Sequence, residues 1–358
     1  MRKWNFCAGP AAISEEVLKE VQSEILEFNK SGMSVMEMSH RSDIYTKVAF
    51  DAKKDLINLL KVPNDYDVLF LQGGATHQFS MIPLNYKHIS DSADYVTTGS
   101  WSSKAFYEAS KIFNPIEIFR SEQNVCTKAP NIDELEISKN ATYLHYCPNE
   151  TIEGVAIHET PKVDIPLIAD MSSVILSQPL DVNKFSIIYA GAQKNIGPAG
   201  LTIVIINKEF MQMGNENLPN ILKYSEHSKS NSMLNTPPTF SWYLAGKVFK
   251  WMIKLGGLDY FEEQNKLKAS LLYNFIDNSG FYINPIDTSS RSIMNVPFVL
   301  ENSMLEKKFI SEASDNGFLN LKGHRLVGGM RASIYNAMPL EGVKELIKFM
   351  DYFKSENR

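Results

Sequence analysis

Apolar positions recur at helical spacing in two early segments. Ser14 is placed to cap the first, with Glu15 and Glu16 in its opening turn. Leu18, Val21, Ile25 and Phe28 form its stripe, and Gly32 suits a stop. Ala49, Ala52, Leu56 and Leu59 repeat the stripe before Pro63. Short apolar runs then take over at 68–71, 95–96, 143–146, 166–169 and 185–189, each followed by small or polar residues. Strands alternating with helices predict βαβ units and a mainly parallel sheet. The rhythm changes near residue 257. A long amphipathic helix is expected, with Leu267, Leu271 and Phe275 on one face. Strand candidates follow at 281–284, 294–300 and 332–335, then a last helix carrying Val343, Leu346, Met350 and Phe353. The expectation is an α/β domain over 14–257 and a smaller α+β domain over 258–358, with 1–13 packed against the smaller domain and the site.

Composition narrows the partners. The chain has 358 residues, 44% hydrophobic and 22% charged, enough apolar surface to order two domains. A net charge of −5 argues against a nucleic-acid or anionic-membrane partner. Cys7, Cys126 and Cys147 make neither a disulfide framework nor a metal cluster, and read as reduced cytoplasmic thiols. No apolar leader stands behind the N-terminus, and the aliphatic stretch at 203–206 is too short to span a bilayer. The expected protein is cytoplasmic and metal-free.

In a parallel α/β sheet, ligands bind beyond the carboxyl ends of the strands. The loop 72–76, with Gly73 and Gly74 before Ala75 and Thr76, suits an anion at a helix N-terminus, though the Gly-Gly dipeptide alone favours a plain tight turn. It is neither a dinucleotide-binding fingerprint nor a P-loop. Asp170, directly after an apolar run, is either a helix cap or an acid partner for a cation. Lys194 follows another run and is surrounded by glycine, alanine and proline, where a solubilising lysine needs no such neighbours. A desolvated lysine forms Schiff bases, and an acid can hold a pyridinium proton, so Lys194 with Asp170 suggests pyridoxal phosphate. Trp101 could stack on a flat ring, and Thr151 could bond a ring substituent. His40-Arg41, His324-Arg325 and Arg331 would suit a substrate with two anionic ends, although each alone reads as a surface ion pair.

On these residues the chain resembles the phosphoserine aminotransferases, class-V members of the fold-type I pyridoxal-phosphate enzymes. The blocks that carry the resemblance are SVMEMSHR (34–41), HYCPNETIEG (145–154), YAGAQKNIGPAGLTIVI (189–205), NTPPTFSWYL (235–244) and KGHRLVGGMRASIYNAMPLEGV (322–343). The resemblance implies a large domain with a mostly parallel seven-stranded sheet, a small C-terminal domain, and a homodimer with shared active sites. It implies Lys194 as the Schiff-base lysine and Asp170 at the pyridine nitrogen, with Trp101 on the ring and Thr151 at its phenolic oxygen. Ala75, Thr76 and Gln193 would lie near the cofactor phosphate, and Asn235 and Thr236 would reach it from the partner subunit. Arg331 would clamp the α-carboxylate, while His40, Arg41, His324 and Arg325 would meet the distal phosphate. The implied reaction moves an amino group from L-glutamate to 3-phosphohydroxypyruvate, giving 2-oxoglutarate and O-phospho-L-serine. It extends in bacterial members to 3-hydroxy-2-oxo-4-phosphooxybutanoate on the way to vitamin B6. Two departures stand out: Ala8 where many relatives carry serine, and Ala75-Thr76 where some carry Gly-Arg. Another fold-type I activity, such as a desulfurase or a different aminotransferase, and a cofactor-binding protein without turnover are the alternative readings.

Overall fold

The computed structural model describes residues 2–121 and 126–358. Each of the five apolar runs becomes a strand, and two further strands join them: β1 (Tyr66–Gln72), β2 (Asp94–Thr97), β3 (Ile116–Arg120), β4 (Leu144–Tyr146), β5 (Leu167–Asp170), β6 (Ile187–Gly191) and β7 (Leu201–Asn207). They form one sheet in the order β1-β7-β6-β5-β4-β2-β3. β7 runs antiparallel to β1 and β6, and all other pairs are parallel. Side-chain alternation divides the strands between two faces. Leu167 and Ala169 pack into one core beneath the helices Asp43–Leu60 and Thr239–Lys254, and Ile168 packs into the other beneath Ala75–Tyr86 and Ser100–Ala109. The carboxyl ends of β2, β4, β5 and β6 therefore stand side by side where the strand order reverses, the usual place for a ligand.

A third core lies among the helices Gly257–Asn278, Glu306–Asp315 and Leu340–Asn357 and an antiparallel sheet of Met330–Ser333, Asn295–Leu300 and Tyr282–Ile283. Near the N-terminus, Trp4–Asn5 pairs in parallel with Phe318–Leu319. The helix Gly257–Asn278 spans both bodies: Leu258 and Phe261 belong to a large-sheet core, and Leu272 and Ile276 to the third core.

Two sequence expectations are corrected. The first helix covers only Glu15–Glu24, because the chain turns at Phe28–Met33 with Asn29 and Lys30 in left-handed conformation. In Gly257–Asn278 the core face is not that of Leu267, which is 40% exposed. It runs through Phe261, Asn265, Lys268, Leu272 and Ile276, and two of these are polar. Lys268 is buried because its Nζ donates to the carbonyls of Ile334, Tyr335 and Met338 at 2.8–2.9 Å. Among the described residues no helix is long and apolar enough to cross a membrane.

Candidate active site

The four strand ends open onto a cavity of about 330 Å³. At one end β1 leads through Gly73 and Gly74 into the helix Ala75–Tyr86, so Ala75 and Thr76 stand in its first turn. Gly73 has φ +104°, and a Cβ there would lie 2.7 Å from His77 Nδ1; only glycine turns this corner freely. The N–H groups of Ala75 and Thr76 stand at the positive end of the helix dipole.

Asp170 closes β5 and is 4% exposed. No helix follows it. Instead Ser172 turns back, and its N and Oγ donate to Asp170 Oδ1 at 3.0 and 2.6 Å. Burial pushes the Asp170 carboxyl up, opposed by these bonds and by the charge of Lys194. Ser172 Oγ also accepts from Gly191 N at 3.0 Å, tying the β5 and β6 ends together.

Lys194 sits three residues beyond β6, half-buried, with Nζ donating to Thr151 Oγ1 at 2.6 Å. The same Nζ is 5.8 Å from the centre of the Trp101 ring. Burial pushes its ammonium down, against the charge of Asp170. Gln193 lines the cavity beside it, and its carbonyl accepts from Ala11 N at 2.8 Å, which brings the N-terminal loop over the lysine. Trp101 comes from the first turn of Ser100–Ala109 and Thr151 from the segment after β4.

Ala75, Thr76, Trp101, Thr151, Asp170, Gln193 and Lys194 thus share one cavity. Other expected residues stand apart. Arg331 is joined to the cluster through Nη1, which donates to the carbonyl of Thr151 at 3.1 Å; its Nε is buried with no partner among the described residues. His40, Arg41, His324, Arg325, Asn235 and Thr236 do not line this cavity. Arg41, Arg325, Asn235 and Thr236 are exposed, and the Thr236 carbonyl accepts from Gln72 Nε2 at 2.7 Å. Ala8 has no side chain to offer, but its carbonyl accepts from Tyr335 Oη at 2.9 Å.

Sequence reasoning missed Ser172, Asn149, Glu150 and Glu153. Ser172 follows Asp170 at the spacing of a side-chain turn and was open to discovery. Asn149 bridges to Ser173 Oγ and Asn295 Oδ1 at 2.8 and 2.9 Å, partners far away in sequence.

A profile of the class-V aminotransferases matches residues 3–346 of this chain. The chain belongs to that family. This aminotransferase is 52% identical to the phosphoserine aminotransferase of Acinetobacter baylyi, over 99% of each chain. It superposes on the solved phosphoserine aminotransferase of Bacillus circulans subsp. alkalophilus with a TM-score of 0.97, at 46% identity over 100% of this chain and 99% of that one. The pyridoxal-phosphate-bound phosphoserine aminotransferase of Trichomonas vaginalis matches with a TM-score of 0.94, at 39% identity over 98% and 99%. The seven-stranded, mostly parallel sheet expected from the resemblance is the one found.

The alternative desulfurase reading needs an exposed nucleophilic thiol. Cys147 is buried, its Sγ donates to the carbonyl of Asn149 at 3.4 Å, and burial pushes the thiol well up.

Proposed function

We infer that this aminotransferase is a phosphoserine aminotransferase that works with pyridoxal 5'-phosphate. It exchanges an amino group between L-glutamate and 3-phosphohydroxypyruvate, giving 2-oxoglutarate and O-phospho-L-serine. The observation that carries the reading is Lys194 Nζ on the Thr151 hydroxyl, beneath the Trp101 ring and in the field of a buried Asp170.

The residues present fit the cofactor. An anion suits the N-terminus of Ala75–Tyr86, and a flat ring suits the Trp101 face. Asp170, with both Ser172 bonds on Oδ1, keeps a second oxygen for a ring N–H. Trp101 Nε1 and Asn149 Oδ1 are buried polar atoms of cavity-lining residues without partners among the described residues. When bound, the cofactor supplies an aldehyde carbon that carries the amino group and a ring that takes up the electron pair.

The protein does the rest. Lys194, with its ammonium destabilised by burial, is the base that takes the Cα proton of the amino donor and later returns one. Asp170 holds a proton at the ring nitrogen. Arg331, cationic even in its buried setting, offers Nε to an α-carboxylate while Nη1 stays on the Thr151 carbonyl. Among the described residues Lys194 is the only basic side chain lining the cavity, too little for a phosphorylated cofactor and a phosphorylated substrate together. We therefore propose a homodimer in which a second copy brings Asn235, Thr236, His40, Arg41, His324 or Arg325 to each site. We also propose that the enzyme works in the cytoplasm.

Borohydride reduction of the yellow protein should fix the cofactor's mass on Lys194. Amino-group exchange should run with O-phospho-L-serine far faster than with L-serine; equal rates would refute the substrate assignment. Including 3-hydroxy-2-oxo-4-phosphooxybutanoate as a second acceptor tests the vitamin B6 reaction in the same assay.

A further inference from the structure

Two carboxylates flank Thr151 without lining the cavity, and both are aimed at the helix that carries Trp101. Glu150 and Glu153 are buried. Glu150 Oε2 accepts from Trp101 N at 3.0 Å. Glu150 Oε1 accepts from Ser102 N at 2.9 Å and from Ser102 Oγ. Glu153 Oε1 accepts from Ser100 N at 2.9 Å and from Ser100 Oγ. Three successive amides of one helix terminus are therefore satisfied by two side chains three positions apart, with Thr151 and Ile152 between them. The turn is closed on itself, since Gly154 N donates to the Glu150 carbonyl at 2.8 Å. The fit leaves no spare room. A Cβ on Gly99 would lie 2.5 Å from Glu150 Cγ and 2.7 Å from Glu153 Oε2, so both carboxyl groups crowd one point.

Such a pair costs desolvation and mutual repulsion, and burial followed by the charge of Glu153 pushes Glu150 up. Capping one exposed helix end needs only a serine or aspartate. The excess is explained by what the pair connects: Trp101 on one side and Thr151 on the other, 5.8 and 2.6 Å from the same Lys194 nitrogen.

We propose that Glu150 and Glu153 are positioning residues that bolt the first turn of Ser100–Ala109 to the segment 149–154, so that the Trp101 ring and the Thr151 hydroxyl are held at a fixed separation around Lys194. This rests on the proposed function for its catalytic consequence, though the clamp itself does not. The two members are not equivalent. Both oxygens of Glu150 accept from N–H groups, whereas Glu153 Oε2 is buried with no partner among the described residues. In Glu150→Gln the amide NH2 must face an N–H donor at Trp101 or Ser102. In Glu153→Gln the amide oxygen keeps Ser100, and the NH2 takes the place of the unpartnered oxygen, where a carboxylate stands beside it.

The test compares Glu150→Gln and Glu153→Gln with wild type in two forms. In protein stripped of cofactor, amide hydrogen exchange at Trp101 and Ser102 is measured. In the holoenzyme, the visible circular dichroism of the bound cofactor, kcat and KM are measured, with melting temperature as the control for folding. The expected result for Glu150→Gln is faster exchange at Trp101 and Ser102, a weakened dichroic band, and kcat lower by about tenfold or more with KM for glutamate little changed, as misplacement of a reacting group predicts. Glu153→Gln keeps the oxygen that Ser100 uses, so its losses should be smaller than those of Glu150→Gln on each readout. Exchange and dichroism unchanged in Glu150→Gln would overturn the proposal, and so would equal damage from the two variants. If stripped and reconstituted wild type took up no cofactor, the proposed function would fail, while the exchange comparison would still decide the clamp.

Discussion

The Thr151 hydroxyl accepts from Lys194 Nζ at 2.6 Å while the Thr151 carbonyl accepts from Arg331 Nη1 at 3.1 Å. One residue thus joins the expected base to the expected carboxylate clamp. Thr151→Val keeps the shape and the carbonyl but leaves the lysine without its acceptor. A buried polar group stripped of its partner costs about 1–3 kcal/mol, so kcat should fall by roughly five- to a hundred-and-fiftyfold. Thr151→Ser should recover most of the loss. Steady-state kinetics on the pair decides it: a valine variant with wild-type kcat would make the contact incidental.

His145 sits wholly inside the sheet, stacked on Tyr95 at 4.9 Å, with Nε2 2.7 Å from Tyr189 Oη. Burial pushes it down to about 3. In the unfolded chain a histidine protonates near 6.5. Between these values the unfolded state binds the extra proton, so this residue's stability contribution is full above about 6.5 and declines as pH falls towards about 3. At pH 4.5 the loss amounts to about 3 kcal/mol. His145→Phe keeps the stack and removes the proton site. Urea unfolding at pH 7 and pH 4.5 should show a smaller drop in the variant than in wild type; an identical drop would place the titration elsewhere.

Lys268 is 1% exposed and gives one hydrogen bond to each of three carbonyls at 334, 335 and 338. Lys268→Met fills the volume but strands the acceptors, each costing about 1–3 kcal/mol if it stays dry. Stability should fall by about 3 kcal/mol or more, with kcat of the folded fraction near wild type because the lysine does not line the cavity that holds Lys194. A methionine variant as stable as wild type in urea would show that the carbonyls find other partners.

The same lysine shows why part of the fold was illegible. Strands β4, β5 and β6 were readable because unbroken apolar runs end in chemistry: Thr151, Asp170 and Lys194 each follow one. Strand β3 was missed because it is a half-exposed edge, with Ile116 44% exposed. The core face of Gly257–Asn278 was assigned to the wrong stripe because Asn265 and Lys268 look like solvent positions. Their partners, Ser177 and Asn336 for one and the 334–338 carbonyls for the other, are distant in sequence. Pattern reading sees polarity and not its satisfaction. For the same reason Glu150 and Glu153 drew no reading from the sequence, since the amides they cap lie some fifty residues earlier.

The incomplete charge of the cavity leads to the last prediction. Arg41 and Arg325 are exposed and away from Lys194 in their own chain, although the substrate proposed carries a phosphate. If Arg41 serves the site of a second copy, Lys194→Ala and Arg41→Ala damage complementary halves of each site. Each variant alone should be nearly inactive towards O-phospho-L-serine. After unfolding and refolding together, random pairing makes half of the dimers mixed. In each mixed dimer one site carries both defects and the other neither, so about a quarter of wild-type activity should return. A mixture no more active than the sum of its parts would mean that Arg41 acts within its own chain or not at all. The neutralised variant should also lose far more activity with O-phospho-L-serine than with L-alanine, because only the former presents a distal dianion to an arginine.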